Sequence, residues 1–435
     1  MLDHRPINPA DVLIKGAHVL DPRNELDAKL DVLVSSGEIV AIGENLQADG
    51  VETLDGKGRH LFPGFVDPHV HLRVPGQEHK EDLESGTRSA AAGGFVAIVA
   101  QPNTSPTVDS APVLRSLREQ ARRDARIPVG FLASVTRGLA GEALTEMAEL
   151  RECGALGFTD DGKPVHRAGI LRKALQYQKL CGGIIALHEE DPTLSGKGVM
   201  HEGVVSARLG LAGIPSISES TLIARDAAIA RYEDGRIHIQ HLSARESVEA
   251  IAEAKARGVR ITAEASPHHL TLTDEILLSK LDTRLKMNPP LRTEDDRQAL
   301  IQGLKDGTID CIATDHAPHA REEKEVPFEE APMGTTGLET SFAAVYTANI
   351  LPLALIVEKL TSGAALLDLP TPLIAVGEPA NLALVDLAAE WEVGEAGYES
   401  RSENCCFAGQ RLKGKVVTTI AAGGIVYRER VLTAV

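Results

Sequence analysis

Short apolar runs alternate with longer amphipathic stretches through the middle of this chain, and that alternation sets the expected architecture. Runs at Phe65–Leu72, Phe95–Gln101, Val129–Val135, Ala155–Asp161, Ile184–His188, Ile237–Leu242, Arg260–Ala265 and Cys311–Asp315 have the length and composition of buried strands. Between them, stretches such as Asp82–Ala92, Ala143–Arg151 and Ala244–Arg257 carry helical periodicity. Eight strands separated by helices predict an α/β protein with a parallel sheet, and eight such units fit a closed (β/α)8 TIM barrel. An open doubly wound sheet is the alternative, but no GxGxxG turn follows an early strand.

The two ends read differently. Residues from Asp11 to about Arg59 and the tail from NLALVDL onward are short strands punctuated by turn glycines. The expectation is a small β-sandwich domain built from both termini, residues 1–62 and 370–435, with the barrel inserted as residues 63–369. The polar segment Arg321–Pro332, rich in Glu, Lys and Pro, is expected as a mobile loop after the eighth barrel strand.

Composition narrows the function. The formal charge of −17 argues against a nucleic-acid surface, which needs clustered Lys and Arg. It leaves open an anionic small substrate held by a local arginine, since exposed charges are screened within about 10 Å. Five cysteines without a CxxC pair point to a reducing compartment rather than a disulfide framework. The first residues lack a basic segment followed by an apolar run, and no apolar stretch approaches membrane-spanning length, so the expected location is the cytoplasm.

The chemistry gathers at the strand ends. His69 and His71 lie two apart on the first barrel strand and therefore project together. Asp161, His188, His241 and Asp315 stand at the ends of the fourth, fifth, sixth and eighth strands. Barrel closure brings those ends to one rim, so four imidazoles and two carboxylates would meet in one pocket. That donor set suits Zn2+, with Co2+ or Mn2+ as substitutes. Arg73 shares the face of the HxH pair and can fork onto a carboxylate. Asn103, Asn288 and His319 follow other strands as candidate substrate contacts, although the asparagines, close to prolines, also suit simple turns. His238 should face away from His241 as a packed or hydrogen-bonded residue. His268 and His269 are left unassigned, and His4, His18, His60, His79, His166 and His201 are expected at the surface.

The segments DPHVHLRVPGQEHKED, QPNTSP, GFTDDGKPV, ALHEED, HIQHLSARES, KMNPPLR, ATDHAPH and APMGTTGLET closely resemble the dihydroorotase family of the amidohydrolase superfamily. GEPANLALVDL and SENCCFAGQRLKGKVVTTIAAGG resemble its returning β domain, so the likeness spans nearly the whole chain. The resemblance implies that His69, His71, His188 and His241 are metal ligands and that Asp315 is both ligand and general base. It implies that Arg73, Asn103 and His319 bind the substrate carboxylate, that Asn288 contacts the ring, and that backbone near Gly334–Gly337 closes the pocket.

Many superfamily relatives bridge two metals with a carboxylated lysine on the fourth strand. This sequence has Asp160–Asp161 there, resembling the subgroup in which Asp replaces it; Asp161 fits that subgroup's spacing, with Asp160 in reserve and Lys163 as a remote alternative. One or two zinc ions remain open. The implied reaction is the reversible zinc-dependent cyclisation of N-carbamoyl-L-aspartate to L-dihydroorotate in pyrimidine biosynthesis. The rival readings are a hydantoinase- or allantoinase-type cyclic amidase, and an inactive partner of aspartate carbamoyltransferase. A homodimer and a complex with that carbamoyltransferase are both compatible with the resemblance.

Overall fold

A computed structural model describes residues 2–429. Five strands precede the barrel: β1 (Val12–Asp21), β2 (Leu26–Ser35), β3 (Glu38–Gly43), β4 (Glu52–Asp55) and β5 (His60–Pro63). The barrel strands are β6 (Phe65–Val70), β7 (Phe95–Ala100), β8 (Val129–Ala133), β9 (Gly157–Thr159), β10 (Ile184–Leu187), β13 (Arg236–Ile239), β14 (Arg260–Ala265) and β15 (Cys311–Ile312). A minor pair, β11 (Met200–His201) and β12 (Gly213–Ile214), lies outside that ring, and β16 (Leu382–Glu392), β17 (Arg411–Ala421) and β18 (Gly424–Arg428) form the return.

The barrel ladder runs β6-β7-β8-β9-β10-β13-β14-β15 and is parallel throughout. Each strand of β6, β7 and β8 is buried along its whole length, which is why these segments read as unbroken apolar runs. A parallel bridge from Val70 to His316, with the His71 N–H donating to the His316 carbonyl at 2.8 Å, closes the ring.

The terminal strands join in one continuous sheet ordered β18-β17-β16-β5-β1-β2-β3, with β4 beside β1. The first half of β1 pairs with β4 and the second half with β5, bending at an irregularity between Ile14 and Ala17. This sheet has its own apolar cluster, including Val12, Val19, Val32, Leu61, Leu382 and Ile420. Only Gly64 separates β5 from β6, and a Cβ there would lie 2.1 Å from Val96 Cγ1, so the step from sheet to barrel requires glycine.

All eight anticipated strands are present, but several end early. Only Cys311 and Ile312 of Cys311–Asp315 pair in the ladder; Thr314 N–H turns instead to the Asp67 carboxylate. Helices Leu83–Ala92 and Arg245–Ala256 match expectation, whereas Ala143–Arg151 is helical only over Met147–Glu152. Asp82 caps its helix reciprocally, accepting from Ser85 N at 2.7 Å while Ser85 Oγ accepts from Asp82 N.

The segment expected as a loop, Arg321–Pro332, opens with a helical turn, Arg321–Lys324. The Lys324 ammonium is buried and donates to the carbonyls of Thr283 and Pro332. Among the histidines expected at the surface, His201 is instead buried beside Arg292, 3.1 Å from its guanidinium.

Candidate metal centre

β6 carries His69 and its exit carries His71, with ring centroids 5.5 Å apart. Asp161 enters from beyond β9, His188 from the end of β10, His241 from beyond β13 and Asp315 from beyond β15. All six side chains are buried. Ligand atoms of His69, His71 and Asp161 lie within 4.8 Å of one another, and so do those of Asp161, His188 and His241. Asp161 therefore belongs to both triads.

The spacings are those of donors facing a shared centre. His69 Nε2 stands 3.6 Å from Asp161 Oδ1 and 3.5 Å from Asp315 Oδ1. His71 Nε2 is 3.3 Å from Asp161 Oδ2 and 3.1 Å from Asp315 Oδ1. His188 Nδ1 and His241 Nε2 lie 3.7 and 3.6 Å from Asp161 Oδ1 and 2.8 Å from each other. Ligands about 2.1 Å from a tetrahedral cation are separated by about 3.4 Å, so these residues fit a divalent ion. His69 Nε2 supplies an independent sign: it is buried and has no hydrogen-bond partner.

A surrounding layer orients the ligands. His69 Nδ1 lies 2.5 Å from Glu264 Oε1, which fixes Nε2 toward the centre. The other Glu264 oxygen is 3.0 Å from His238 Nε2, so His238 is hydrogen-bonded, as expected, yet through Glu264 it adjoins the site. His71 Nδ1 pairs with Asn103 Oδ1 at 2.9 Å, and Asn103 Nδ2 lies 3.5 Å from Asp161. His188 Nε2 faces Glu190 Oε2 at 3.4 Å, and Asn288 Nδ2 donates to the same oxygen at 2.6 Å.

Glu264 sits between Ala263 and Ala265 in the buried half of the strand RITAEA, where a buried charge demands a partner; a charge so flanked was legible in the sequence. Glu190, one of several acids after His188, carried no comparable mark.

Electrostatics agree with this arrangement. Burial disfavours the charged form of His69, but the Glu264, Asp161 and Asp315 carboxylates outweigh it and raise its pKa well above the usual imidazole value. Burial would likewise raise Asp161 and Asp315, but the surrounding imidazoles pull Asp161 well below the usual range and Asp315 down to about 2. His188, also opposed by burial, is raised to about 9 by Asp161 and Glu190.

Asp160 points elsewhere: its carboxylate accepts from Thr136 N at 3.0 Å and from the Thr136 hydroxyl. Lys163 is exposed. Of the two aspartates and the lysine, only Asp161 joins the cluster.

His71, Arg73, Asn103, Asp161, His188, His241, Asn288, Asp315 and His319 line one cavity of about 230 Å³, together with Ala317, Met333 and Gly334. His69 lies fully buried beside it. Arg73 Nε donates to the Pro318 carbonyl at 3.0 Å, and His319 Nε2 lies 2.8 Å from the Met333 carbonyl. His268 and His269 are buried side by side; His269 is held by Ser266 and the Pro289 carbonyl. A larger cavity of about 680 Å³ lies apart, between helix Leu83–Ala92 and β17, where Arg88 is paired with Glu399 and Lys415 with Glu429.

Comparison with known proteins gives concordant results. The family model described as "Dihydro-orotase-like" matches residues 58–247. A dihydroorotase from Pelotomaculum thermopropionicum is 44% identical over 426 residues, covering 97% of this chain and 99% of that protein. One from Syntrophotalea carbinolica is 43% identical, covering 96% and 99%. Among solved structures, the L-hydantoinase of Arthrobacter aurescens superposes with a TM-score of 0.85 at 24% identity, covering 96% of each chain. The dihydropyrimidinase of Brevibacillus agri does so with a TM-score of 0.83 at 24% identity, covering 96% of this chain and 95% of that one. These structural likenesses establish the barrel with its accompanying sheet.

Proposed function

The chain belongs to the dihydroorotase family, and from that premise we propose that it interconverts L-dihydroorotate and N-carbamoyl-L-aspartate by opening and closing a cyclic amide. The observation that carries the reading is the pair of ligand triads sharing Asp161, with the Asp315 carboxylate 3.1 Å from His71 Nε2 and Arg73 lining the same cavity.

The ligands would be His69, His71, Asp161, His188, His241 and Asp315. Imidazole and carboxylate donors suit Zn2+, and a carboxylate common to both triads supports two ions rather than one. Bound there, such an ion supplies Lewis acidity: it polarises a carbonyl and lowers the pKa of water.

The chain's own groups do the rest. Asp315, held ionised by its imidazole neighbours, takes a proton from the attacking water and returns it to the departing amide nitrogen. Arg73 commits Nε to Pro318 and presents its terminal nitrogens to the ring carboxylate. His319, next in the chain to the Pro318 that holds Arg73, lines the same cavity as the second carboxylate contact, and Asn288 as a contact to the ring. Asn103 has a double task, since the amide that faces the cavity also orients His71. Fixing the carboxylate converts binding energy into orientation of the scissile amide.

Further proposals go with this reading. Residues 1–62 with 370–435 form one domain and 63–369 the other, residue 1 and residues 430–435 lying outside the described residues; the separate apolar cluster of the terminal sheet supports the division. A cytoplasmic setting is supported by five unpaired cysteines. Among the described residues no helix is long and apolar enough to cross a membrane. Self-association and assembly with aspartate carbamoyltransferase rest on family resemblance, and sedimentation of the chain alone and mixed with that enzyme tests both.

The decisive experiment combines metal analysis with dihydroorotate hydrolysis on the purified chain, before and after chelation and reloading with zinc. Activity should vanish with the metal and return with it. Arg73→Ala should weaken turnover of dihydroorotate far more than of an uncharged ring such as hydantoin. A reloaded protein that opens hydantoin but leaves dihydroorotate intact would move the assignment to a hydantoinase-type amidase.

A further inference from the structure

The cavity wall that carries His319 is assembled from two stretches of chain, residues 317–319 and 333–334. One buried side chain from a distant part of the sequence holds them together. Asn404 belongs to the segment between β16 and β17, is 4% exposed, and lines no part of the cavity. Its Oδ1 accepts from the His319 backbone N–H at 3.0 Å. Its Nδ2 donates to the Ala317 carbonyl at 3.0 Å and to the Gly334 carbonyl at 3.1 Å. A primary amide has two N–H donors, and both are engaged; reversing it would set its oxygen against two carbonyls, so the orientation is unambiguous.

The neighbouring backbone is fastened to the same stretch. Thr335 Oγ1 donates to the Asn404 carbonyl at 3.0 Å and accepts from Cys406 N at 2.8 Å. A parallel bridge joins Thr336 to Cys405. The return segment thus docks on the 334–336 strand edge, and the Asn404 amide reaches through it to the 317–319 stretch. His319 then closes the arrangement by pairing with the Met333 carbonyl.

We propose that Asn404 is a positioning residue for substrate recognition: its three side-chain hydrogen bonds set the distance between His319 and the Gly334 wall. In this way the C-terminal segment tunes affinity for a ring bearing a carboxylate. The inference rests on the carboxylate-binding role given to His319 above. Asn404 touches neither the ligand triads nor Asp315, so its effect belongs to binding of the anionic end and leaves proton transfer unchanged.

The test is steady-state kinetics of dihydroorotate hydrolysis with Asn404→Asp, which keeps the shape and the acceptor for His319 but removes both donors. KM should rise about tenfold or more, as expected when two buried carbonyls lose their partner, with kcat and bound metal little changed. In a His319→Ala background the same substitution should add almost nothing, because the group it positions is gone. Asn404→Ser, neutral and smaller, is the second variant if the aspartate protein does not fold. A fall in kcat and metal content at unchanged KM would overturn the inference, as would an equal penalty with and without His319. An unsubstituted chain, metal-loaded, that does not hydrolyse dihydroorotate would instead overturn the underlying reading.

Discussion

At the scale of single residues, the centre is held in backbone conformations that side chains other than glycine rarely adopt. His241 has φ +33°, Asp315 φ +48° and Arg73 φ +60°. Three such residues around one cavity indicate that surrounding hydrogen bonds impose the geometry. Asp315 is ionised yet makes its contacts with ligand imidazoles, which suits proton transfer. Asp315→Ala should retain metal through His69, His71, Asp161, His188 and His241 and lose about 10² to 10⁴-fold in kcat. Metal analysis alongside turnover checks this, and substantial residual activity would remove Asp315 from the proton path. The ion-free ligands predict a pH effect. The His188 pKa is raised to about 9, so this imidazole is protonated at neutral pH when no ion competes. A ligand nitrogen must be deprotonated, and His69 is raised too, so loading expels protons and affinity rises with pH up to at least about 9. Calorimetry of zinc binding in two buffers of different ionisation enthalpy measures that release; an apparent enthalpy independent of buffer would contradict it.

At the scale of elements, the strands show why so much was legible. Buried parallel strands read as apolar runs, and every ligand-bearing run was recognisable because a histidine or aspartate interrupted it at its C-terminal end. Their ends were less legible. The Cys311–Asp315 run pairs over two residues only, because Thr314 turns to Asp67, a buried carboxylate of the first barrel strand whose partner the sequence does not name. The Arg321–Pro332 segment looked like a loop by composition; Lys324 anchors it by burying an ammonium against two carbonyls, which composition does not report. Burial and nearby Lys286 lower that ammonium to about 7. The helix after β6 offers a cleaner case, since Asp82 and Ser85 cap it reciprocally. Asp82→Ala should cost about 1 kcal/mol, measured by chemical denaturation, with activity intact. No measurable loss would mean that the cap adds nothing to packing of the buried Leu83 face.

At the scale of the molecule, the barrel and the terminal sheet meet in an aromatic joint. The rings of Phe62 of β5, Phe65 of β6 and Phe342 lie within 6.5 Å of one another, Phe65 and Phe342 stacked, and Phe95 of β7 lies 5.8 Å from Phe65. Half of the eight phenylalanines sit there, in a chain that is only 3% aromatic. Phe342→Ala should destabilise by about 3 to 5 kcal/mol and lower the melting temperature of the barrel and the sheet together. Two separate transitions would show instead that the parts unfold independently. What the sequence determined by itself was everything with a local period or a local chemical mark: the eight barrel strands, the HxH pair and the acids and histidines at strand ends. What only the tertiary structure decided was which of Asp160 and Asp161 faces inward, that Glu264 and Glu190 orient ligands, and that Asn404 braces a cavity wall 70 to 87 residues away from it in the chain. The physical reason is that periodicity tells which side of its own element a residue occupies, whereas a hydrogen bond across the fold depends on which other element ring closure and sheet docking bring opposite to it.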